Sequence, residues 1–172
     1  MRSRSSSIFL LFLFLSVPAQ GMREPKTGIE VGNLAPSFEL RNLNGEKIAL
    51  TDYRGKIVLL NFWSTLCVPC TAEMPSLNKL HLTLVDKGFQ VLAVSIDTSE
   101  KPVKRFVEEK KIVLPVLMDS DKAVFFDDFA GPSLPASYLI DRNGIIIETF
   151  SGPRVWDSPD MRSRISKLLN KR

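Results

Sequence analysis

The chain has 172 residues, 44% of them hydrophobic, and its 23 basic against 19 acidic side chains leave a net charge of +4. That length suits one domain with a full core, and so small a charge gives no polyanion-binding surface, so no nucleic-acid partner is expected. Two cysteines are too few for a disulfide-built scaffold, and with a single histidine, His81, they cannot assemble a four-ligand zinc site.

Arg2 and Arg4 precede the apolar run Ile8-Phe9-Leu10-Leu11-Phe12-Leu13-Phe14-Leu15 and the small-residue stretch Ser16-Val17-Pro18-Ala19. This is the pattern of a cleaved signal peptide over residues 1–19. The apolar run is short for a bilayer core of about 30 Å, so an uncleaved membrane anchor is the lesser reading. Export would place the chain in an oxidising compartment, where a disulfide persists. Residues 20–29, with Gly21, Pro25 and Gly28, read as a flexible lead-in to a domain over 30–172.

Within that domain, Phe38-Glu39-Leu40 and Lys47-Ile48-Ala49-Leu50 flank Asn44-Gly45, the pattern of a β-hairpin. Residues 56–63 form a near-continuous apolar run, as in a strand covered on both faces. After Cys70, the spacing of Met74, Leu77, His81, Leu84 and Val85 predicts a helix that Gly88 stops, with Pro75 inside it. A second buried strand is predicted over 89–97, a helix over 100–111, a short strand over 114–119 and a short helix over 122–129. Tyr138-Leu139-Ile140 then turns through Asn143-Gly144 into Ile145-Ile146-Ile147. Met161, Ile165, Leu168 and Leu169 mark an amphipathic final helix, whose basic residues form the solvated face. Strands alternating with helices argue for a mainly parallel sheet.

The two cysteines stand where the first buried strand gives way to the first helix. A Cys-x-x-Cys pair there can close a small disulfide ring, and Pro69 suits the first helical turn. Free N–H groups and the helix dipole beside Cys67 stabilise its thiolate, lowering its pKa below the free value of about 8.5. A bridge closing so short a loop braces little, so it reads as a reagent.

The block Phe62-Trp63-Ser64-Thr65-Leu66-Cys67-Val68-Pro69-Cys70 resembles the active site of the thioredoxin superfamily. The resemblance narrows to TlpA/ResA-type extracytoplasmic thiol–disulfide oxidoreductases through three further stretches. These are Ala35-Pro36-x-Phe38-x-Leu40 with Tyr53-Arg54-Gly55-Lys56, the unit over 98–121, and Gly131-Pro132-Ser133-Leu134-Pro135-Ala136. It implies an α/β thioredoxin-like fold, a central mixed but mainly parallel sheet flanked by helices, with an N-terminal β-hairpin and a central βα insertion. It also implies that Cys67 is the nucleophile, Cys70 the resolving thiol and Glu73 an active-site acid. The substrate groove would involve Leu66, Val68, Pro69, Leu134 and a cis Pro135, with Trp63 packed close by. Asn61 stands where thioredoxins keep a buried acid. Leu66 replaces a frequent tryptophan, and Ala136 and Ser137 replace two usual threonines. For Glu73, a helix-stabilising surface acid is the other reading.

The function so implied is reduction of protein disulfides by a monomer, with no cofactor beyond the Cys67–Cys70 disulfide. Apocytochrome c is one candidate substrate, and a membrane thiol donor would supply electrons. A peroxiredoxin-like thiol peroxidase is an alternative: Ser64 fits its hydroxyl position, but Leu60 stands where its proline belongs. A copper-binding thiol protein is another, with His81 as the only histidine.

Overall fold

The computed structural model describes residues 25–171. The expected signal peptide over residues 1–19 and residues 20–24 of the lead-in lie outside the described residues. From Lys26 the lead-in is bonded to the body: Leu34 N–H donates to the Lys26 carbonyl at 2.9 Å, and Gly28 N–H to that of Leu34 at 3.0 Å.

Seven strands make one sheet: β1 (Glu39–Asn42), β2 (Lys47–Ala49), β3 (Ile57–Trp63), β4 (Phe89–Ser95), β5 (Val116–Met118), β6 (Ala136–Ile140) and β7 (Ile146–Ser151). Their order is β2-β1-β5-β4-β3-β6-β7. The helices are α1 (Val68–Leu84), α2 (Glu100–Glu109) and α3 (Pro159–Asn170). The sheet is mixed as expected, but it is not mainly parallel. Only β3·β4 and β4·β5 run parallel, and the other four pairings are antiparallel. Helical crossovers occur only through α1 and α2, whereas β1–β2 and β6–β7 are joined by short turns that can link only antiparallel neighbours. Both crossovers step the same way across the sheet, so with one handedness they place α1 and α2 on the same face.

β3 is buried along its whole length, and its alternation divides the core in two. Leu59 and Trp63 face α1, α2 and α3, where they meet Met74, Leu77, Val103 and Ile165. Val58, Leu60 and Phe62 face the opposite layer, built from Phe38, Leu50, Phe125, Phe129 and Tyr138. Phe62 has ring centroids of Phe129 and Phe125 at 5.0 and 5.2 Å. The inserted α2–β5 unit places β5 between β4 and β1, which joins the N-terminal hairpin to the core.

Two predicted elements differ in detail. The strand expected over 114–119 is only Val116–Met118, since Pro115 has no N–H to donate. The helix expected over 122–129 is a π-type turn over Val124–Asp128. The buried Asp119 carboxylate accepts the Val124 and Phe125 N–H groups at 3.3 and 2.8 Å, while Phe129 N–H reaches back five residues to Val124.

Removing the Phe62 ring would empty the centre of the aromatic layer. Phe62→Ala is expected to destabilise the protein by about 3–5 kcal/mol, read as a lower urea midpoint with unchanged m-value.

Candidate active site

β3 ends at Trp63, and four residues later Cys67 caps α1: the Cys70 N–H donates to Cys67 Sγ at 3.3 Å. Val68 and Pro69 occupy the first helical positions, so the two cysteines lie on one turn and form a disulfide. The sulfurs are not equivalent. Cys70 is 0% exposed, locked in the core beside Met74 and Leu77, whereas Cys67 is partly exposed. Around Cys67 the surface is apolar: Leu66 is 90% exposed and Val68 77%. Leu134 lines a recess of about 250 Å³ with Cys67, Ser64, Asp97 and Lys122.

The antiparallel register of β3 and β6 sets Phe62 opposite Ala136, which brings the preceding loop to the dithiol end of the sheet. The Leu134–Pro135 bond is cis. Pro135 is buried and Leu134 half-buried. Trp63 is not a substrate contact: its side chain has no exposed surface and packs on Phe106 with centroids 5.3 Å apart. Strand alternation turns it inward, away from the rim that Leu66 and Val68 form.

Glu73, one turn beyond Cys70, is not a surface acid. It is 5% exposed and its carboxylate joins three parts of the chain. Asn61 Nδ2 on β3 donates to Oε1 at 2.9 Å, while the Arg154 N–H and the Trp156 indole N–H donate to Oε2 at 2.9 and 3.0 Å. Burial pushes the carboxyl pKa above its ordinary value of 4.5, and these three donors and the Arg154 charge pull against that rise. The helix thus delivers an acid to the spot that the strand leaves neutral at Asn61. A groove of about 360 Å³, lined by Pro69, Ala72, Glu73, Pro153, Arg154 and Val155, opens beside it.

Three participants escaped the sequence reading. Arg154 and Trp156 lie about 80 positions from Glu73 in sequence and reach it only through the chain reversal after β7. Asp97, the other one, follows β4 and binds the loop before Cys67. Its signal was present in outline, because the carboxyl ends of adjacent parallel strands converge where α/β sheets place their sites. His81 takes no part in the dithiol: its Nδ1 accepts the Val91 N–H at 3.4 Å in the α1–β4 interface. Burial, and secondly the Lys56 charge, lower its pKa.

Set beside known proteins, the AhpC/TSA family model matches residues 31–149. Thiol-disulfide oxidoreductase ResA of a Bacillus cereus strain is 39% identical over 133 residues, covering 77% of this chain and 76% of that protein. The chain belongs to the AhpC/TSA family, as a thiol–disulfide oxidoreductase of the ResA/TlpA type. Thioredoxin-like protein YneN of Bacillus subtilis is 40% identical over 136 residues, 77% of this chain and 78% of that protein. A crystal structure from Chlorobium tepidum, named as a thiol:disulfide interchange protein DsbE, superposes with a TM-score of 0.76 at 29% identity, covering 83% of this chain and all of that one. The thioredoxin-like α/β fold is thereby shown, and the Cys67–Cys70 pair stands where an oxidoreductase of this type needs its dithiol.

Because the Glu73 carboxyl has a raised pKa, the folded chain keeps a proton there that the unfolded chain has already lost. Stability is therefore lost as pH rises from 4.5 through the raised value, and not as pH falls. In the oxidised protein, Glu73→Gln is expected to flatten this loss, measured as urea unfolding free energy against pH. An identical slope in both proteins would rule out a raised Glu73 pKa.

Proposed function

We propose that this oxidoreductase is an exported reductant of protein disulfides, attacking through Cys67 and resolving through Cys70. The observation that carries the assignment of roles is the asymmetry of the pair: one sulfur partly exposed within an apolar rim, the other with no exposed surface. The Cys67 thiolate attacks a substrate disulfide, forming a mixed disulfide and releasing one substrate thiolate. The Cys70 thiolate then attacks Cys67 Sγ, which releases the second substrate thiol and leaves the Cys67–Cys70 disulfide. Two electrons pass to the substrate. Glu73, one helical turn from Cys70, accepts the resolving proton, a role that suits a buried carboxyl with a raised pKa.

The reducing direction rests on the resemblance to TlpA/ResA-type proteins, as does apocytochrome c as one substrate. Export rests on the signal-peptide pattern over residues 1–19, which makes the compartment extracytoplasmic, most simply the periplasm, and the mature domain 30–172. Among the described residues no helix is long and apolar enough to cross a membrane. A reductant there needs electrons relayed by a membrane thiol donor. It works as a monomer with no cofactor beyond its own disulfide, and Leu66, Val68, Pro69 and Leu134 contact the substrate chain.

The thiol peroxidase reading is weaker on two counts. Ser64 spends its hydroxyl on Asp97 at 3.1 Å, and Leu60, at the position a proline would occupy, is fully buried within β3. Copper binding would need His81 at the dithiol, and it packs against Val91 instead.

The reduction potential of the Cys67–Cys70 couple tests the direction. A value near or below about −270 mV is expected, and one near −120 mV would make the protein an oxidant. Cys70→Ser is expected to accumulate a mixed disulfide at Cys67 with protein substrates, visible on non-reducing gels, and Cys67→Ser to trap none. Leu66→Asp is expected to raise KM for a protein disulfide several-fold while leaving reduction of a small-molecule disulfide near normal.

A further inference from the structure

The segment between β3 and α1 has no regular structure, yet three of its backbone donors are placed. Thr65 N–H donates to Asp97 Oδ2 at 2.9 Å, Leu66 N–H to Ser64 Oγ at 3.2 Å, and Cys67 N–H to the Ser64 carbonyl at 3.1 Å. Two side chains of the segment bind the same carboxylate: Ser64 Oγ and Thr65 Oγ1 donate to Asp97 Oδ1 at 3.1 and 2.7 Å. Ser95 Oγ donates to Oδ2 at 2.7 Å and accepts the Asp97 N–H at 3.1 Å, which fixes the carboxylate to the end of β4. That end is itself tied to β3, since Ile96 N–H donates to the Trp63 carbonyl at 3.0 Å. Asp97 is 8% exposed, and its four donors are one amide and three hydroxyls. Burying a carboxylate in this way is costly without a cation, and four donors offset that cost only while the clamp is closed.

We propose that Asp97 is the positioning residue of the nucleophile: by clamping Ser64–Leu66 to the end of β4 it holds Cys67 Sγ at the N-terminus of α1. This rests on the reading of Cys67 as the attacking thiol. The consequence is electrostatic but indirect. In the clamped position the sulfur meets the Cys70 N–H and the positive end of the α1 dipole, which together favour the thiolate. Freed from the clamp, the sulfur moves away from both.

The chemistry of the clamp supplies its own control. Three of the four donors are hydroxyls, which can reverse and accept, and only Thr65 N–H must donate. An asparagine with its oxygen in the Oδ2 position therefore keeps the Thr65 bond, while its NH₂ donates to Ser64 and Thr65 Oγ. Asp97→Asn removes the charge and retains the clamp, whereas Asp97→Ala removes both. Among the charged groups near Cys67 are Lys122, in the same recess, and, on the other side of the start of α1, Glu73 with Arg154 beside it, and none of these changes in these variants.

The measurement is the rate of Cys67 alkylation by iodoacetamide against pH in the reduced full chain, mapped by mass spectrometry. Asp97→Ala is expected to move the Cys67 pKa up toward about 8.5 and to slow alkylation at pH 6 about tenfold. Asp97→Asn should leave the pKa at or below the wild-type value. If Asp97 acts only as a charge, both variants lower the pKa and speed alkylation at low pH, which overturns positioning. Unchanged profiles in both folded variants overturn it equally. Should Asp97→Ala not fold, Ser64→Ala with Thr65→Val removes both Oδ1 bonds, and with them the Leu66 N–H bond to Ser64 Oγ, while the Thr65 N–H and Ser95 bonds to Oδ2 remain. It should shift the pKa the same way by less, and no shift would sink the proposal. Alkylation needs no protein substrate, so its outcome is separate from the Cys67→Ser and Cys70→Ser trapping that tests the underlying reading.

Discussion

A strand buried on both faces must divide its side chains between two cores, and β3 does so without interruption from Ile57 to Trp63. Much of the site follows from that constraint. Phe62 is committed to the aromatic layer with Phe125, Phe129 and Tyr138, so Asn61 and Trp63 must face α1. A slip of one residue would exchange the two sets and expose a polar amide to an aromatic layer, so the register is strongly fixed. The point at which β3 stops is thereby set by core packing.

Two carboxylates flank the dithiol, and their surroundings suit them to different work. Asp97 is held by donors from the end of β4 and from the loop between β3 and α1, the loop that leads directly into Cys67. Glu73 is held by donors from β3 and from the segment after β7. It thereby links α1 to the half of the chain that ends in α3. The Glu73 carbonyl accepts from Ser76 Oγ, which in turn accepts the Trp156 N–H, so the same segment is tied to α1 twice. One acid fixes geometry close to the nucleophile, and the other stands one turn behind the buried sulfur with its pKa raised by burial.

The dithiol, the strand before it and the helix after it were legible because their signals are local. Cysteine count, the apolar run and 3.6-residue spacing all sit within a few turns of one another. The cis Pro135 loop was legible only through resemblance, since nothing local to it points at the cysteines. Proximity of Trp63 to Cys67 in sequence does not say which face of β3 it takes; alternation along the strand turns it onto Phe106 and away from the rim. The mainly parallel sheet was an over-extension: two helical crossovers were read correctly, and the antiparallel pairings outnumber them. Glu73 and Asp97 show the limit most clearly. Each acts through partners that only the closed fold supplies, about 80 residues away for Arg154 and Trp156, and 32 for Thr65.

The pairing of Asn61 with Glu73 bears on how a buried acid can exchange a proton without disturbing the core. Asn61 Nδ2 donates to Glu73 Oε1 and to Ser137 Oγ, both at 2.9 Å, while Asn61 Oδ1 is buried without a partner. That arrangement suits the ionised acid. If Glu73 takes a proton on Oε1, a half-turn of the amide brings Oδ1 round to accept from it, and the Ser137 hydroxyl can reverse to donate to the same oxygen. Either orientation leaves one end of the amide unpaired, at a cost of about 1–3 kcal/mol. At the Asn61 end the two protonation states therefore carry similar penalties, whereas the Arg154 and Trp156 N–H groups on Oε2 favour the carboxylate. A fixed donor such as a backbone N–H would favour only the carboxylate, and an aspartate at this strand position would set two acids against each other. An amide that can turn keeps Oε1 open to a proton, which fits the proton-accepting role proposed for Glu73.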